Sequence, residues 1–299
     1  MKIGITGATG LIGSTFGRLA SENGHEIVGF TRSGKADRPW VKEWRPFGSK
    51  LDTSGCDALV HLAGESLMGV WTPGKKKKIW ESRVDATRSI VGGLVKAPGQ
   101  IRVLLCASGA GYYGDRCEEV LTEQSVRGNG FLSDLCGEWE AAAAKAGAVG
   151  VRVVHLRTGM VLGAGGGAFP LLRRVFNLGL GGRLGDGKQW MPWIHLDDEA
   201  RLMLSCIENG AARGAVNHVA PGSVTNADFT TALAKQLKRP AFFHVPAFAL
   251  RLLMREMAVE MLLPSQRVKP QAALDLGFTF RHPELDSALR SLLTPSGRA

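Results

Sequence analysis

The sequence is short of the features that mark several broad classes of protein. No apolar run reaches the roughly 20 residues a bilayer span requires, and the opening residues lack the apolar stretch and small-residue cleavage site of a secretory signal. Membrane partners and export are therefore not expected. The five cysteines, Cys56, Cys106, Cys117, Cys136 and Cys206, are odd in number and form no C-x-x-C pair. That argues against a disulfide framework or a zinc cluster and for a reducing, cytoplasmic setting. There is no internal repeat and no low-complexity linker. Acidic residues are the minority charge, 27 against 37 Lys and Arg, for a net charge of +10. The positive residues are dispersed apart from Lys75-Lys76-Lys77-Lys78, which reads as a solvated helix start or as a phosphate patch. With no nucleic-acid-binding motif present, the excess suits anionic small ligands, including a phosphorylated cofactor, rather than nucleic acid. Tyrosine is scarcest of the reactive residues: Tyr112 and Tyr113 are the only two in the chain.

Glycine, by contrast, is abundant at 39 residues. The informative cluster is Gly7-Ala8-Thr9-Gly10-Leu11-Ile12-Gly13, which follows the short apolar run Lys2–Thr6 and precedes small and apolar residues at helical spacing, Phe16, Leu19 and Ala20. In such a turn Gly7 lets the chain reverse, Gly10 lets a pyrophosphate approach the backbone, and Gly13 lets the helix lie close on the sheet. The helix start would present free N–H groups and its positive dipole end to the phosphates. A second apolar run, Glu26–Phe30, stands where a βαβ unit requires it. Units that bind NAD usually carry an acidic residue at the end of that strand, facing the ribose hydroxyls. Here the residues are Thr31-Arg32-Ser33. A guanidinium pairs with a 2′-phosphate that a carboxylate would repel, so NADP(H) is expected rather than NAD(H).

Further apolar strands, Cys56–Gly64, Arg102–Ala107 and Val151–Arg157, alternate with helical patterns at about 76–95 and 131–146. This predicts an α/β fold with a doubly wound parallel sheet. Ligands in such sheets lie beyond the carboxyl ends of the strands, here Thr6–Gly13, Thr31-Arg32, Leu62-Ala63-Gly64, Ala107–Gly111 and Arg157–Gly163. After Gly163 the pattern changes to glycine-rich loops and short helices. The expected division is a cofactor domain over 1–162, with later segments returning to it, and a smaller, interleaved and mostly helical substrate lobe over 163–299.

Taken in order, Thr6–Gly13, Leu62-Ala63-Gly64-Glu65, Ser108–Gly114, Leu156–Gly163 and Trp193–Asp198 resemble the atypical extended short-chain dehydrogenase/reductases known as the epimerase family, and the segment from about 240 resembles that group's C-terminal segment. The resemblance implies a Rossmann-type domain binding NADP(H). It places cofactor contacts on the glycine loop (Gly7, Thr9, Gly10, Leu11, Ile12 and Gly13), on Thr31 and Arg32, on Leu62, Ala63 and Gly64, and on Lys78, Arg83 and Val161. For Arg83 the alternative is a helix-surface ion pair with Glu81 or Asp85. Sugar-modifying members of the wider group share a Tyr-x-x-x-Lys pair that exchanges a proton with the substrate. The corresponding helix here, Gly130–Glu140, contains neither residue at that spacing.

Tyr113 or Tyr112 can supply the acid from its loop, with Ser108 orienting the substrate; alternatively the Tyr-Tyr-Gly turn only packs over the cofactor. No metal site is expected: Asp197 reads as a helix cap beside His195, and His61 as a core histidine. Gln189–Trp193 either lines the substrate cleft or packs the lobe. Two functions follow. One is an NADP-dependent oxidoreductase or epimerase acting on a small carbonyl compound or nucleotide sugar. The other is a non-catalytic NADP(H)-binding module that senses redox state or contacts a partner.

Overall fold

The computed structural model describes residues 1–32, 34, 37–48, 51–96 and 99–294. The chain begins β1 (Lys2–Thr6), α1 (Leu11–Glu22), β2 (Glu26–Thr31), β3 (Glu43–Pro46), β4 (Ala58–His61), α2 (Pro73–Trp80) and α3 (Ala86–Lys96). It continues β5 (Val103–Gly109), β6 (Val120–Leu121), α4 (Phe131–Ala144), β7 (Arg152–Thr158), β8 (Met160–Leu162), α5 (Phe169–Asn177) and β9 (Gly182–Leu184). Then come β10 (Trp190–Met191), β11 (Trp193–His195), α6 (Leu196–Glu208), β12 (Gly214–His218), β13 (Val224–Thr225) and α7 (Asn226–Leu237). The last elements are β14 (Phe243–Val245), α8 (Ala247–Met254), β15 (Arg267–Val268), α9 (Gln271–Asp275) and α10 (Leu285–Leu293).

Seven strands form one parallel sheet in the order β3-β2-β1-β4-β5-β7-β12. The order reverses between β1 and β4, which makes that edge the switch point where doubly wound sheets take their ligands. Strand side chains alternate between two cores. Ile3, Ile5, Val103 and Leu105 face α1 and α6, while Leu59, Leu104 and Cys106 face α3 and α4. Burial on both faces is why these strands read as continuous apolar runs. A third core, around Phe169, Phe176, Trp193, Phe229, Leu233 and Leu289, holds the smaller lobe together. That lobe also contributes to the first unit, since β12 forms the sheet's edge and α6 packs on α1. Four two-stranded ladders, β6–β15, β8–β11, β9–β14 and β10–β13, lie outside the main sheet. No described helix is long and apolar enough to cross a membrane.

The continuous helix expected near 76–95 is interrupted. A π-helical turn, Glu81–Asp85, separates α2 from α3. A π turn inserts extra backbone per turn and so re-aims the side chains on it. Here it carries Arg83 toward the carboxyl end of β4.

Candidate functional site

Two of the three loop glycines stand where a side chain does not fit. Gly7 has φ +75°, and a Cβ there would lie 3.0 Å from the Leu62 carbonyl carbon. A Cβ on Gly13 would be driven into the Gly7 carbonyl oxygen and sit 2.9 Å from the Gly7 carbonyl carbon. Gly10 differs: its Cβ would meet only the Gly7 oxygen, at 3.3 Å, so the loop is otherwise open on that side. Gly10 is the N-cap of α1, has no capping side chain, and donates its own N–H to Gly7 O at 3.0 Å. Thr9 and Gly10 are exposed, while Leu11 and Ile12 are half-buried. A second loop, after β8, closes on the first. Cβ atoms on Gly163 and Gly167 would lie 3.4 and 3.2 Å from Leu11, and Val161 O lies beside Gly167. The floor is tied by Thr6, whose Oγ1 accepts from Leu62 N (3.2 Å) and Ala63 N (3.3 Å) and bonds His61 Nδ1 at 2.7 Å. His61 is wholly buried, and burial, with a smaller push from Arg83, lowers its pKa to about 4, so it is neutral.

Beside this loop stands a cationic corner. Thr31 is half-buried and Arg32 exposed at the end of β2; Ser33 lies outside the described residues. Lys75 bonds Glu65 at 2.6 Å, and this bond, with the nearby charges of Lys75, Lys78 and Arg32, holds the Glu65 carboxyl below the usual range. Lys78 is exposed and has no ion-pair partner among the described residues. Arg83 makes no pair with Glu81 or Asp85, which bind Lys77 (3.7 Å) and Arg88 (3.1 Å) instead. Its guanidinium lies 3.0 Å from where a Gly64 Cβ would stand, 5.4 Å from the Trp139 ring centre, and donates to Ile79 O and Ser82 Oγ, both at 3.4 Å. Burial lowers its pKa. A half-buried cation with no ion-pair partner among the described residues, lying against Gly64 just beyond β4, is suited to an anion.

Across the sheet, the ends of β5 and β7 carry a polar network that sequence reasoning missed. Arg157 and Glu140 form a buried bidentate pair, Nε to Oε1 and Nη2 to Oε2, both at 2.9 Å. Ser108, half-buried, donates to Glu140 Oε1 at 2.7 Å. The Arg157 guanidinium also lies 3.4 Å from the Tyr112 ring centre and donates to Tyr113 Oη at 3.0 Å. Tyr113 is fully buried and donates its own proton to Asn217 Oδ1 at 2.6 Å. Burial raises its pKa to about 12, against the opposing pull of Arg157. Tyr113, one of the two phenols expected to supply the acid, thus has its proton on Asn217. A signal for this network was present: an arginine inside an apolar strand and a glutamate inside an alanine-rich helix both need partners if buried. The N-terminus of α4 is closed as well, because Glu260 accepts from Phe131 N (3.2 Å) and Leu132 N (3.0 Å).

Further along β7 and β12, Glu199 accepts from Thr158 Oγ1 at 3.2 Å and pairs with the wholly buried His218 at 3.1 Å. Burial opposes a charge on His218, but the Glu199 carboxylate outweighs it and raises the pKa from 6.5 to about 10. Since the folded value lies above the unfolded one, this pair's stabilisation is complete below pH 6.5 and declines as pH rises through 10. Urea unfolding across that range is expected to show a loss of stability that His218→Gln abolishes; an unchanged slope in the variant would refute the pairing.

His195, not Asp197, caps α6: its Nδ1 accepts from Asp197 N at 3.1 Å. A neutral imidazole nitrogen can accept from the first free N–H groups of a helix, and His195 stands at the N-cap of α6, whereas Asp197 is already its second residue. Asp197 and His282 lie close enough to His195 to form a possible metal cluster. Yet Ser291 Oγ, which donates to Ala288 O, bonds His195 Nε2 at 3.1 Å, so Nε2 must carry the proton. Both ring nitrogens are therefore engaged, and burial together with His282 lowers the pKa to about 4. Trp193 is a core residue of the lobe, with Nε1 donating to Gly222 O at 2.9 Å. Gln189 is buried and donates to Leu184 O and Leu262 O, both at 3.1 Å.

Comparison with known proteins supplies the context for this geometry. Residues 3–219 match the NAD dependent epimerase/dehydratase family, and residues 245–292 match a domain of unknown function, DUF1731. The chain is 37% identical over 303 residues to the epimerase family protein SDR39U1 of Bos taurus, covering 98% of this chain and 100% of that protein. It is 36% identical over 299 residues to the epimerase family protein MT2273 of Mycobacterium tuberculosis, covering 99% and 98%. The crystal structure of human SDR39U1 isoform 2 with NADPH superposes with a TM-score of 0.90 at 33% identity, covering 98% of this chain and 99% of that one.

Proposed function

Because the chain belongs to the NAD dependent epimerase/dehydratase family, we propose that it binds NADPH across β1 and β4 and uses it on a small carbonyl compound or nucleotide sugar. The observation that carries this reading is the junction of the open glycine loop with a cationic corner that has Arg32 where NAD-binding units carry an acid. The human relative's complex with NADPH supports it. Gly7–Gly13 would hold the pyrophosphate, Arg32 with Lys78 the 2′-phosphate, and Leu62, Ala63, Gly64, Arg83 and Val161 the remainder of the dinucleotide. When bound, NADPH supplies a hydride. The chain's own part is to bind, orient and handle the proton. We assign Ser108 to the substrate oxygen: with its proton on Glu140 it accepts from a substrate hydroxyl, and turned away from Glu140 it donates to a substrate carbonyl oxygen. Residues 1–162, completed by α6 and β12, form the cofactor unit in this reading, and residues 163–299 the substrate lobe.

A non-catalytic module is the second reading, favoured by the engagement of Tyr113 with Asn217 and Arg157 and by the absence of tyrosine from α4. Calorimetry separates cofactor choice from chemistry. Arg32→Ala is expected to weaken NADPH binding by about 1.5–3 kcal/mol, the loss of a charged hydrogen bond, and to leave NADH binding unchanged. An equal loss for both refutes the 2′-phosphate role. NADPH oxidation on a panel of aldehydes, ketones and nucleotide sugars then decides between enzyme and module, tight binding without turnover favouring the module.

A further inference from the structure

The smaller lobe carries an apolar surface that the dinucleotide site does not use. Within residues 242–253, Phe242 is 90% exposed, Phe243 53%, Phe248 71%, Leu252 76% and Leu253 71%. On α8 the buried side is marked by Leu250, so Phe248 and Leu252, one turn apart, point outward together. Parallel pairing of β14 with β9, Phe243 opposite Gly182, brings the segment ahead of β9 alongside, with Leu178 66% and Leu180 54% exposed. Such an outward apolar face on a polar surface marks an interaction site.

The charges around it select the occupant. Residues 169–185 contain three arginines and residues 238–255 four Lys or Arg, and neither segment contains an Asp or Glu. Arg183, Arg251 and Arg255 are exposed and make no ion pair among the described residues. A second copy docked face to face would set these cations against one another, without carboxylates to answer them. An anionic bilayer answers both features. Phenylalanine and leucine enter the boundary between headgroups and chains, and the flanking cations meet the lipid phosphates.

We propose that the face built by α8, β14 and the segment before β9 docks this protein peripherally on anionic lipid surfaces. This departs from the sequence expectation of no membrane partner, which rested on the lack of a spanning segment. The glycine loop is not part of the face, so the proposal stands apart from the reading of the cofactor site.

The test is co-sedimentation of the full chain with vesicles of phosphatidylcholine alone or mixed with phosphatidylglycerol. Binding to the mixed vesicles is expected to be stronger by about tenfold or more and to weaken as salt rises. F248S/L252S and, separately, R251E/R255E should each abolish it, with unfolding midpoint and NADPH affinity unchanged. The charge-reversal pair alters only exposed side chains, so it keeps the test decisive if the apolar variant folds poorly. Equal binding to both vesicles, or none to either, overturns the proposal. So does concentration-dependent self-association, seen by sedimentation velocity, that F248S/L252S removes while vesicle binding is absent.

Discussion

Replacing Glu140 by alanine is expected to destabilise the protein by about 3–5 kcal/mol, the usual consequence of removing one partner from a buried ion pair. Both side chains are nearly sealed from solvent, Arg157 at 4% and Glu140 at 9% exposure. Without the carboxylate, the guanidinium retains the Tyr112 ring, the Tyr113 hydroxyl and Glu123 O at 3.3 Å, but no countercharge. Ser108 loses its acceptor in the same step. Glu140→Gln should cost less, because an amide oxygen can still accept from Ser108 or Arg157 while the charge is lost. The measurement is the urea midpoint of each variant. The exposed Arg18–Glu22 pair on α1 serves as the contrast, since such surface pairs contribute about 0–1 kcal/mol. If Glu140→Ala cost no more than Glu22→Ala, the network would have no stabilising weight. A functional consequence follows from position. The pair joins α4 to β7 and holds the Tyr112–Tyr113 turn and Ser108 at the carboxyl ends of the strands, where the proposed substrate would lie.

The parts of this site that were legible in the sequence are those whose cause is local. A strand, a tight turn and a helix start occupy the first 13 residues, and the steric roles of Gly7 and Gly13 follow from the absence of a Cβ within that short stretch. The parallel sheet was legible because burial on both faces leaves continuous apolar runs. What stayed hidden depends on partners distant in sequence. Glu260 satisfies N–H groups on residues 128 and 129 positions earlier, and Asn217 meets Tyr113 across 104 positions. Periodicity carries no information about such pairings. The break between α2 and α3 was hidden for a different reason: a π turn shifts the helical register by one residue without removing any apolar position, so Ile79, Val84 and Ile90 remain buried on either side of it. At the start of α6, two residues could each have capped the helix, and only the backbone angles decide that His195 does.

Gly13→Ala and Gly10→Ala should separate the two demands that the amino-terminal turn satisfies. At Gly13 the added methyl meets backbone, the carbonyl of Gly7 and, at 3.2 Å, Cα of Ala8. Neither can rotate aside. Gly7 cannot retreat either, because it already lies against the backbone of Leu62 and Ala63. The substitution must therefore push α1 off β1, opening the contact that Phe16 and Ala20 make with Ile3 and Ile5. Overpacking of this kind costs about 1–3 kcal/mol or more, and the unfolding midpoint should fall accordingly. NADPH affinity should fall by about a hundredfold, because the N–H groups at the start of α1 no longer aim at the pyrophosphate. At Gly10 the methyl has open space apart from the Gly7 oxygen at 3.3 Å, so the fold should hold with little change in midpoint. The methyl would instead occupy the space reserved for the diphosphate, and affinity should fall without a loss of stability. Unfolding curves and calorimetry on both variants give the result directly. A Gly10→Ala protein that still bound NADPH as tightly as the parent would mean the diphosphate lies elsewhere, however well the rest of the loop resembles a dinucleotide site.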